Sequence, residues 1–310
     1  METTITNRNV LITGGAGFIG SHLADALISR GCRVAVIDDF STGREENLNA
    51  AATLYRLNTT DRKGVRKVFE KEKPELIYQL AANTNVPRSV SDPLYDFESL
   101  HGALNVIDTC RDFSVRKFIY VSSGFIYGNT KNTPIKESEP FIPISPYSIT
   151  KKTIENYLAF YKEVYDLPFA LVRPATVYGP RQTFGAMADY IRKLSQGKQA
   201  EIYGDGSNTR DYTFVTDAIT ALLGMANVPD DFPDPVFNLG TGKETSLNEL
   251  YSAIASLLGK SAEPIYLPPR AGELDRYSLD SAKLKTTLGW EPTYSLAEGL
   301  HETLRFGRYI

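Results

Sequence analysis

The sequence predicts an α/β protein built on a doubly wound parallel sheet, with a smaller and more irregular α/β domain attached. Short β-branched segments alternate with helical patterns through the first half of the chain, as in successive β-α-β units. The segments 33–37 (RVAVI) and 117–121 (KFIYV) are continuously apolar, which is typical of parallel strands covered on both faces. The 310 residues are enough for one large domain and a second one.

The same patterns place the individual elements of the first domain. The predicted strands are Val10–Thr13, Arg33–Asp38, Leu54–Leu57, Leu76–Leu80, Lys117–Ser122 and Phe169–Arg173. The predicted helices are Phe18–Arg30, Arg62–Glu72, Leu94–Asp112 and Tyr147–Tyr165. Ser145 is suited to cap the last of these helices, and Pro146 is suited to its first turn.

The character of the chain changes beyond Pro174, where proline, glycine and turn signals become more frequent. Segment 236–239 nevertheless has the pattern of a strand that returns to the main sheet. We therefore predict a first domain of residues 1–173 plus about 213–240, and a second domain of residues 174–212 plus 241–310.

Composition excludes several classes of function. The formal net charge of −3 indicates neither a nucleic-acid partner nor a membrane surface, and no apolar run approaches the ~20 residues that a membrane helix needs. The first nine residues lack a signal-peptide pattern, so a cytoplasmic location is expected. The cysteines (Cys32, Cys110) and histidines (His22, His101, His301) lack metal-ligand spacing, and no metal is predicted.

A glycine-rich turn links the first predicted strand to the first helix. Its glycines at positions 14, 15, 17 and 20 fit a Rossmann-type dinucleotide turn, in which the backbone approaches a pyrophosphate and the helix N-terminus faces that anion. Asp38 and Asp39 end the next strand, roughly 20 residues further on, where a carboxylate accepts both ribose hydroxyls and repels a 2′-phosphate. The sequence therefore predicts NAD rather than NADP.

Tyr147 and Lys151 lie four residues apart on a predicted helix, so they share one face. A free phenol has a pKa of about 10, and a neighbouring ammonium together with the positive nicotinamide ring favours the phenolate. Lys117–Ser122, the strand before this helix, ends in Ser122 and Ser123, at the edge where ligands of doubly wound sheets lie. A serine there can hydrogen-bond a substrate hydroxyl.

Several motifs together resemble those of the extended short-chain dehydrogenases/reductases, and most of all the UDP-glucose 4-epimerase group of the NAD-dependent epimerase/dehydratase family. The resemblance runs in family order over nearly the whole chain. The motifs are 13–20 (TGGAGFIG), 38–43 (DDFSTG), 80–82 (LAA), 122–128 (SSGFIYG), 147–151 (YSITK), 173–182 (RPATVYGPRQ), 203–211 (YGDGSNTRD), 238–242 (NLGTG) and 270–273 (RAGE).

The resemblance implies a role for individual residues. Ser123, Tyr147 and Lys151 take the catalytic positions. The implied NAD-binding residues, besides Tyr147 and Lys151, are Gly14, Gly17, Phe18, Ile19, Asp38, Asp39, Ser41, Gly43, Asn58, Thr59, Leu80, Ala81, Ala82, Thr84, Ser99 and Pro174. The implied substrate-binding residues, besides Ser123 and Tyr147, are Thr176, Glu201, Tyr203, Arg210, Arg270, Glu273 and Tyr277, with the two arginines at the diphosphate.

The resemblance also implies a reaction, namely interconversion of UDP-glucose and UDP-galactose through a transient 4-keto sugar. Related dehydratases and decarboxylases need an acid just after the serine, and Gly124 and Phe125 stand there instead. Epimerisation of a UDP-uronate (left open by Arg88) or of a UDP-N-acetylhexosamine, and ketosugar reduction, remain alternatives, although the bulk of Tyr277 favours a plain hexose. A non-catalytic NAD-sensing protein is the alternative of another class. Relatives pair the two helices matching 94–112 and 147–165, so a homodimer is expected.

Overall fold

The computed structural model describes residues 5–261, 263–270 and 272–310. The described strands are β1 (Asn9–Thr13), β2 (Arg33–Asp38), β3 (Thr53–Arg56), β4 (Leu76–Gln79), β5 (Lys117–Val121), β6 (Phe169–Pro174), β7 (Thr176–Tyr178), β8 (Glu201–Tyr203), β9 (Thr209–Arg210), β10 (Tyr212–Phe214), β11 (Val236–Leu239), β12 (Thr245–Ser246) and β13 (Ile265–Leu267). The described helices are α1 (Phe18–Ile28), α2 (Arg62–Glu72), α3 (Val86–Ser91), α4 (Phe97–Cys110), α5 (Pro146–Tyr165), α6 (Ala186–Ser195), α7 (Val215–Met225), α8 (Leu247–Leu257), α9 (Ala282–Leu288) and α10 (Leu296–Phe306).

Seven strands form one parallel sheet in the order β3-β2-β1-β4-β5-β6-β11. The chain winds outward from β1 in one direction and then, from β4, in the other, which is the Rossmann-type arrangement and confirms the predicted fold class. β11 pairs with β6 in parallel, as its apolar pattern predicts. The crevice where the winding direction reverses lies between the carboxyl ends of β1 and β4, and it is there that ligands of such sheets bind.

Helices cover both faces of this sheet, and the strands bury side chains on each. Val10 and Ile12 of β1 point into one apolar core, whereas Leu11 between them points into the other. Burial of each such side chain contributes about 1.5–3 kcal/mol. The demand for apolar side chains on both faces explains why these strands read as unbroken apolar runs.

The predicted helix 94–112 starts three residues too early, because residues 94–96 form a turn, and the sequence does not predict the short helix before it. The structure has a short helix α3, a connection containing Pro93, and then α4, which begins at Phe97. The side chain of Asn85 caps α3 by accepting a hydrogen bond from the backbone N–H of Arg88. Because proline has no N–H and clashes with the preceding turn, Pro93 separates the two helices.

Helix α5 begins where the sequence predicts. Ser145 and Ser148 form a reciprocal capping box, and Pro146 occupies the first turn. These contacts fix the N-terminal turn that carries Tyr147. Across the described residues, no helix combines the length and the apolar character that crossing a membrane requires.

Beyond β6, short two-stranded sheets pair β7 with β10, β8 with β13 and β9 with β12. The fully buried carboxylate of Asp211 ties this part together by accepting backbone N–H groups of Thr241, Gly242 and Leu279. The predicted division of the chain into two domains stays a prediction.

A buried ion pair fastens α5 to the sheet. The guanidinium of Arg173 on β6 donates from Nε and Nη2 to the two carboxylate oxygens of Glu155 on α5, at 3.0 and 2.7 Å. Ser122 donates its hydroxyl to the same carboxylate at 2.6 Å. Burial by itself raises the pKa of Glu155, but the hydrogen bonds and charge of Arg173 outweigh it and hold that pKa below its usual value.

We expect Glu155→Gln to lower the free energy of unfolding by about 3–5 kcal/mol, because it leaves the buried guanidinium without a charge partner. The double variant Glu155→Leu/Arg173→Met recovers most of that loss in urea denaturation. Because the folded-state pKa of Glu155 is lowered, its stabilising contribution in the wild type is present above pH 4.5 and declines as the pH falls below it. Equal stability of Glu155→Gln and wild type at neutral pH would contradict this assignment.

Candidate active site

Three of the predicted site segments lie at the carboxyl edge of the sheet. The glycine turn follows β1, segment 80–82 follows β4, and Ser122–Ser123 follow β5. Because these three strands are neighbours in the sheet and run parallel, the segments that follow them lie at the same edge.

The glycine turn leaves no room for side chains. A Cβ on Gly14, which has φ +71°, would lie 2.8 Å from the backbone nitrogen of Ala81, and one on Gly20 would lie 2.2 Å from the carbonyl oxygen of Gly14. Gly17 is the N-cap of α1 and supplies no side-chain cap, so the first-turn N–H groups of Phe18 and Ile19 are left for an anion. This cradle fits the pyrophosphate of a dinucleotide.

Asp38 lies at the predicted adenosine end of the cradle. Its carboxylate oxygens accept the backbone N–H groups of Ala16 and Phe40, at 2.8 and 2.9 Å, and Gly43 lies against it. Each oxygen keeps a further lone pair for a ribose hydroxyl. The neighbouring Asp39 is exposed and accepts the N–H of Ser41 at 2.9 Å. The two carboxylates make this end unfavourable for a 2′-phosphate.

The side chain of Asn58, which is expected to contact the adenine, already uses all of its hydrogen-bonding groups in contacts with the protein. Its amide donates to Asp39 and to Glu98, at 2.8 Å each, and its oxygen accepts both the N–H and the hydroxyl of Thr60. A contact with adenine therefore has to replace one of these hydrogen bonds. Thr59 lies beside it and accepts the side-chain amide of Asn105 through its carbonyl oxygen.

The segment after β4 is held by the sheet itself. The backbone N–H groups of Leu80 and Ala81 both donate to the hydroxyl of Thr13, at 3.2 Å, which fixes this wall of the crevice and brings Ala82 after it. Ser99 is buried, and its hydroxyl accepts the N–H of Asn83 at 2.7 Å. Thr84 is exposed, and no described contact holds its side chain.

Ser123, Tyr147 and Lys151 form one buried group, with exposed fractions of only 6%, 9% and 4%. A hydrogen bond joins the hydroxyls of Ser123 and Tyr147. The Nζ of Lys151 donates to the carbonyl oxygen of Val121 at 2.9 Å and lies 5.8 Å from the ring centroid of Tyr147. The ammonium is thus fixed by the end of β5 rather than by the phenol oxygen.

Burial dominates the ionisation of this group. It raises the pKa of Tyr147 to about 12, although the hydrogen bond from Ser123 acts in the opposite direction. Burial also lowers the pKa of Lys151 to about 8, although the charges of Asp96 and Glu155 oppose that change. The expected lowering of the phenol pKa is therefore not produced by the protein alone.

The sequence motifs do not identify two residues that act on this group, one through a hydrogen bond and one through its charge. The hydroxyl of Ser89 on α3 accepts the backbone N–H of Tyr147 at 2.7 Å. Asp96 is 1% exposed and interacts electrostatically with both Tyr147 and Lys151. Neither belongs to a motif with a recognisable spacing, so only the structure identifies them.

On the predicted sugar side, Tyr277 is fully buried. Its hydroxyl donates to the carbonyl oxygen of Pro174 at 3.3 Å, and its ring lies 5.6 Å from that of Phe125. The hydroxyl also lies so close to Gly124 that a Cβ there would come within 2.0 Å of it. Tyr277 and Phe125 therefore fill the space beside Ser123 with aromatic bulk.

The residues expected at the nucleotide end form a second group. The guanidinium of Arg270 stacks on the ring of Tyr203 at 3.2 Å, and Glu201 on the same strand pairs with Lys193. Arg210 donates from Nη1 to the carbonyl oxygens of Thr209 and Leu274, at 2.7 Å each. Two further expected residues, Thr176 and Glu273, are half-buried.

Within residues 5–261, 263–270 and 272–310, no group of three or more histidine, cysteine, aspartate or glutamate side chains is arranged to hold a metal ion. His22 contacts the carbonyl oxygen of Pro180 through Nε2 at 2.9 Å, and both cysteines are buried and reduced.

Comparison with known proteins identifies the family of the chain. The model of the NAD dependent epimerase/dehydratase family matches residues 10–240. The chain is 40% identical to UDP-glucose 4-epimerase of Mycolicibacterium smegmatis over 96% of this chain and 98% of that one. The structure of Thermotoga maritima UDP-glucose 4-epimerase with UDP-glucose has a TM-score of 0.91 at 39% identity, covering 96% and 98% of the two chains. A UDP-N-acetylglucosamine 4-epimerase from Methanobrevibacter ruminantium also has a TM-score of 0.91, at 32% identity and 98% and 99% coverage.

The chain therefore belongs to the NAD dependent epimerase/dehydratase family, within the extended short-chain dehydrogenases/reductases. It is an NAD-dependent epimerase.

We expect Gly20→Ala to weaken NAD binding at least tenfold in calorimetric titration, because its Cβ forces the turn that cradles the pyrophosphate to move. The control is Gly197→Ala, whose Cβ meets nothing within 4 Å. Its positive φ costs about 1 kcal/mol of stability without changing NAD affinity. Unchanged NAD affinity in Gly20→Ala would contradict the proposed cradle.

Proposed function

We propose that the protein is a nucleotide-sugar 4-epimerase that interconverts UDP-glucose and UDP-galactose. The observation that carries this proposal is the buried group of Ser123, Tyr147 and Lys151 beside the glycine cradle. Gly124 and Phe125 follow the serine where a dehydratase or decarboxylase needs an acid, so the site offers proton transfer at one hydroxyl without an elimination step.

Tyr147 is the base in this proposal. Its phenolate accepts the proton of the sugar 4-hydroxyl and returns it after the sugar has turned, while Ser123 holds the same hydroxyl by a hydrogen bond. NAD, held by the glycine cradle and Asp38, would supply a reversible hydride acceptor. Lys151, fixed by Val121, places a positive charge beneath the phenol. The proton thus returns to the sugar, and no external acid or base is consumed.

The ionisation of Tyr147 limits when the site can act. A phenol pKa of about 12 leaves a negligible phenolate fraction at neutral pH. One positive charge at about 4 Å, in an effective dielectric constant of about 20, stabilises the phenolate by roughly 4 kcal/mol, which is about three pKa units. Oxidised NAD would supply a charge of this kind through its nicotinamide ring, and Tyr147 would then become competent as a base.

The diphosphate anchors the substrate through Arg210 and Arg270. Guanidinium groups bind phosphate through charge-assisted hydrogen bonds, and stacking on the ring of Tyr203 leaves the in-plane N–H donors of Arg270 available for this. Thr176, Glu201, Tyr203 and Glu273 complete the nucleotide site in this proposal. Binding energy from the non-reacting nucleotide holds the oxidised sugar while it turns.

A plain hexose suits the sugar pocket best. Tyr277 and Phe125 occupy the space beside Ser123, which disfavours the bulk of an N-acetyl group. A uronate needs a cation, but Arg88 is exposed and its guanidinium stacks on Tyr95 at 4.1 Å. These features favour UDP-glucose and UDP-galactose over the N-acetylated and uronate sugars.

The purified protein should convert UDP-galactose to UDP-glucose without a net change in NADH absorbance, and with a higher kcat/KM than for UDP-N-acetylgalactosamine or UDP-galacturonate. Tyr147→Phe should lower kcat at least 10³-fold, since the phenolate is lost, while NAD affinity stays within a few-fold of the wild type. Tyr309→Phe, which removes an exposed hydroxyl outside both the site and the helices α4 and α5, is the control and should keep full activity. Turnover that survives in Tyr147→Phe, or conversion of no UDP-sugar by the wild type, would overturn the proposal.

We also propose that the protein is a homodimer built through α4 and α5. These helices pack against each other, and α5 exposes an apolar stripe of Ile149, Tyr157, Phe160 and Val164 at helical spacing. Phe97 of α4 is also 65% exposed. Pairing with the same helices of a second copy gives an isologous four-helix bundle that covers these side chains.

Light scattering coupled to size exclusion should therefore give twice the chain mass for the wild type, and a monomer for Phe160→Glu. Phe306→Glu is the matched control, because Phe306 is similarly exposed but lies on α10. A monomeric wild type, or a dimer that persists in Phe160→Glu, would contradict this arrangement.

A further inference from the structure

We propose that Glu244 is a positioning residue that sets the sugar specificity of the site, because it holds Thr209 against the backbone of Tyr277. The inference rests on the proposed function, in which Tyr277 is a wall of the sugar pocket. Glu244 lies two residues beyond motif 238–242, and no sequence motif marks it.

Glu244 joins three segments that are distant from one another in sequence. Its Oε1 accepts the hydroxyl of Thr133 at 2.9 Å, and its Oε2 accepts the hydroxyl of Thr209 at 2.5 Å. The guanidinium of Arg276 donates to both oxygens, from Nη2 to Oε1 at 2.7 Å and from Nε to Oε2 at 3.1 Å. A bidentate pair of this kind fixes the plane of the carboxylate as well as its position.

The carboxylate of Glu244 is ionised at neutral pH. Its side chain is only 20% exposed. The hydrogen bonds from Arg276 lower its pKa to about 2, with help from those of Thr209 and Thr133, although burial acts in the opposite direction. Glu244 is therefore an acceptor on both oxygens, and the hydroxyl of Thr209 has to be the donor in the bond between them.

Thr209 transmits this constraint to the sugar pocket. A threonine hydroxyl has one proton and two acceptor lone pairs. Because Glu244 takes the proton, the oxygen of Thr209 is left as an acceptor, and it accepts the backbone N–H of Tyr277 at 3.2 Å. The backbone N–H of Thr209 donates to the carbonyl oxygen of Asp275 at 2.9 Å. Strand β9 thus binds the segment that carries Tyr277 at two points, and one of them depends on Glu244.

The position of Tyr277 decides how much space remains beside the catalytic serine. Gly124 directly follows Ser123, and the hydroxyl of Tyr277 lies so close to it that an added Cβ would be 2.0 Å away. Phe125 lies against the same ring. A backbone shift of Tyr277 away from Gly124 therefore enlarges the pocket for a bulkier sugar substituent.

The diphosphate end of the site is held in another way. Arg210 follows Thr209, and its Nη1 donates to the carbonyl oxygens of Thr209 and Leu274. These two hydrogen bonds do not involve the carboxylate of Glu244. Loss of that carboxylate should therefore change the selection of the sugar while the affinity for UDP stays within a few-fold of the wild type.

The test compares Glu244→Gln with the wild type on two sugars. The kcat/KM for UDP-N-acetylgalactosamine, relative to that for UDP-galactose, should rise about tenfold, since the amide no longer fixes the segment that carries Tyr277. The kcat for UDP-galactose should change far less, because the base Tyr147 is untouched. Glu302→Gln is the matched control, since it removes a glutamate that pairs with an exposed arginine on α10, and it should change neither value.

Two variants of Thr209 separate the hydrogen bond from packing. Thr209→Val keeps the branched shape but removes the hydroxyl, and it should relax the sugar selectivity as Glu244→Gln does. Thr209→Ser keeps the hydroxyl and should retain the selectivity of the wild type. Relaxed selectivity in Thr209→Ser as well would contradict the proposal.

A measurement without substrate tests the same contact. In ¹⁵N-tyrosine-labelled protein, the amide of Tyr277, assigned with Tyr277→Phe, should exchange with solvent faster in Glu244→Gln and in Thr209→Val than in the wild type. Unchanged selectivity in Glu244→Gln would overturn the proposal, as would an equal fall in kcat/KM for both sugars, which would assign Glu244 to folding alone. A wild type inactive on every UDP-sugar sinks the proposed function instead, while the amide exchange still tests whether Glu244 holds Tyr277.

Discussion

The exclusion of water from one phenol and one ammonium group is the constraint on which the rest of this site depends. Burial raises the pKa of Tyr147 and lowers the pKa of Lys151, so each side chain becomes harder to ionise. A buried phenol of this kind stays protonated, and cannot act as a base, until a positive charge binds nearby. The fold allows this because the glycine cradle, which fits the cofactor, and the end of β5 lie at the same edge of the sheet.

The cofactor side and the proposed substrate side of the crevice differ in how firmly their residues are held. On the cofactor side, buried contacts connect the strands with one another and with helix α5. These contacts are made by the glycine turn, by Thr13 and by the Glu155–Arg173 pair. On the proposed substrate side, Arg270 is exposed and its guanidinium stacks on the ring of Tyr203. An epimerase needs this asymmetry, because the reacting sugar must turn while the base and the cofactor remain still.

Most of the fold could be predicted from the sequence, because strand and helix patterns are local and the parallel strands are apolar throughout. The start of α4 was not, because nothing in the sequence of residues 94–96 distinguishes the turn that they form from the first turn of a helix. Of the motifs, the glycine turn, segment 80–82 and Ser122–Ser123 lie at the expected edge of the sheet. Asp96 and Ser89 were not found, since the hydrogen bond from Tyr147 to Ser89 spans 58 residues. The saturation of Asn58 similarly depends on Glu98, which is 40 residues away and shares no motif with it.

The most direct test of this account is the titration of ¹³Cζ-labelled Tyr147 in the wild-type protein with and without bound NAD. The cofactor-free phenol should ionise near pH 12, and saturation with oxidised NAD should lower that midpoint by about three units. Reduced cofactor, which lacks the positive ring, should leave the midpoint high. A midpoint that is the same in all three states would contradict the claim that the cofactor's charge activates the base.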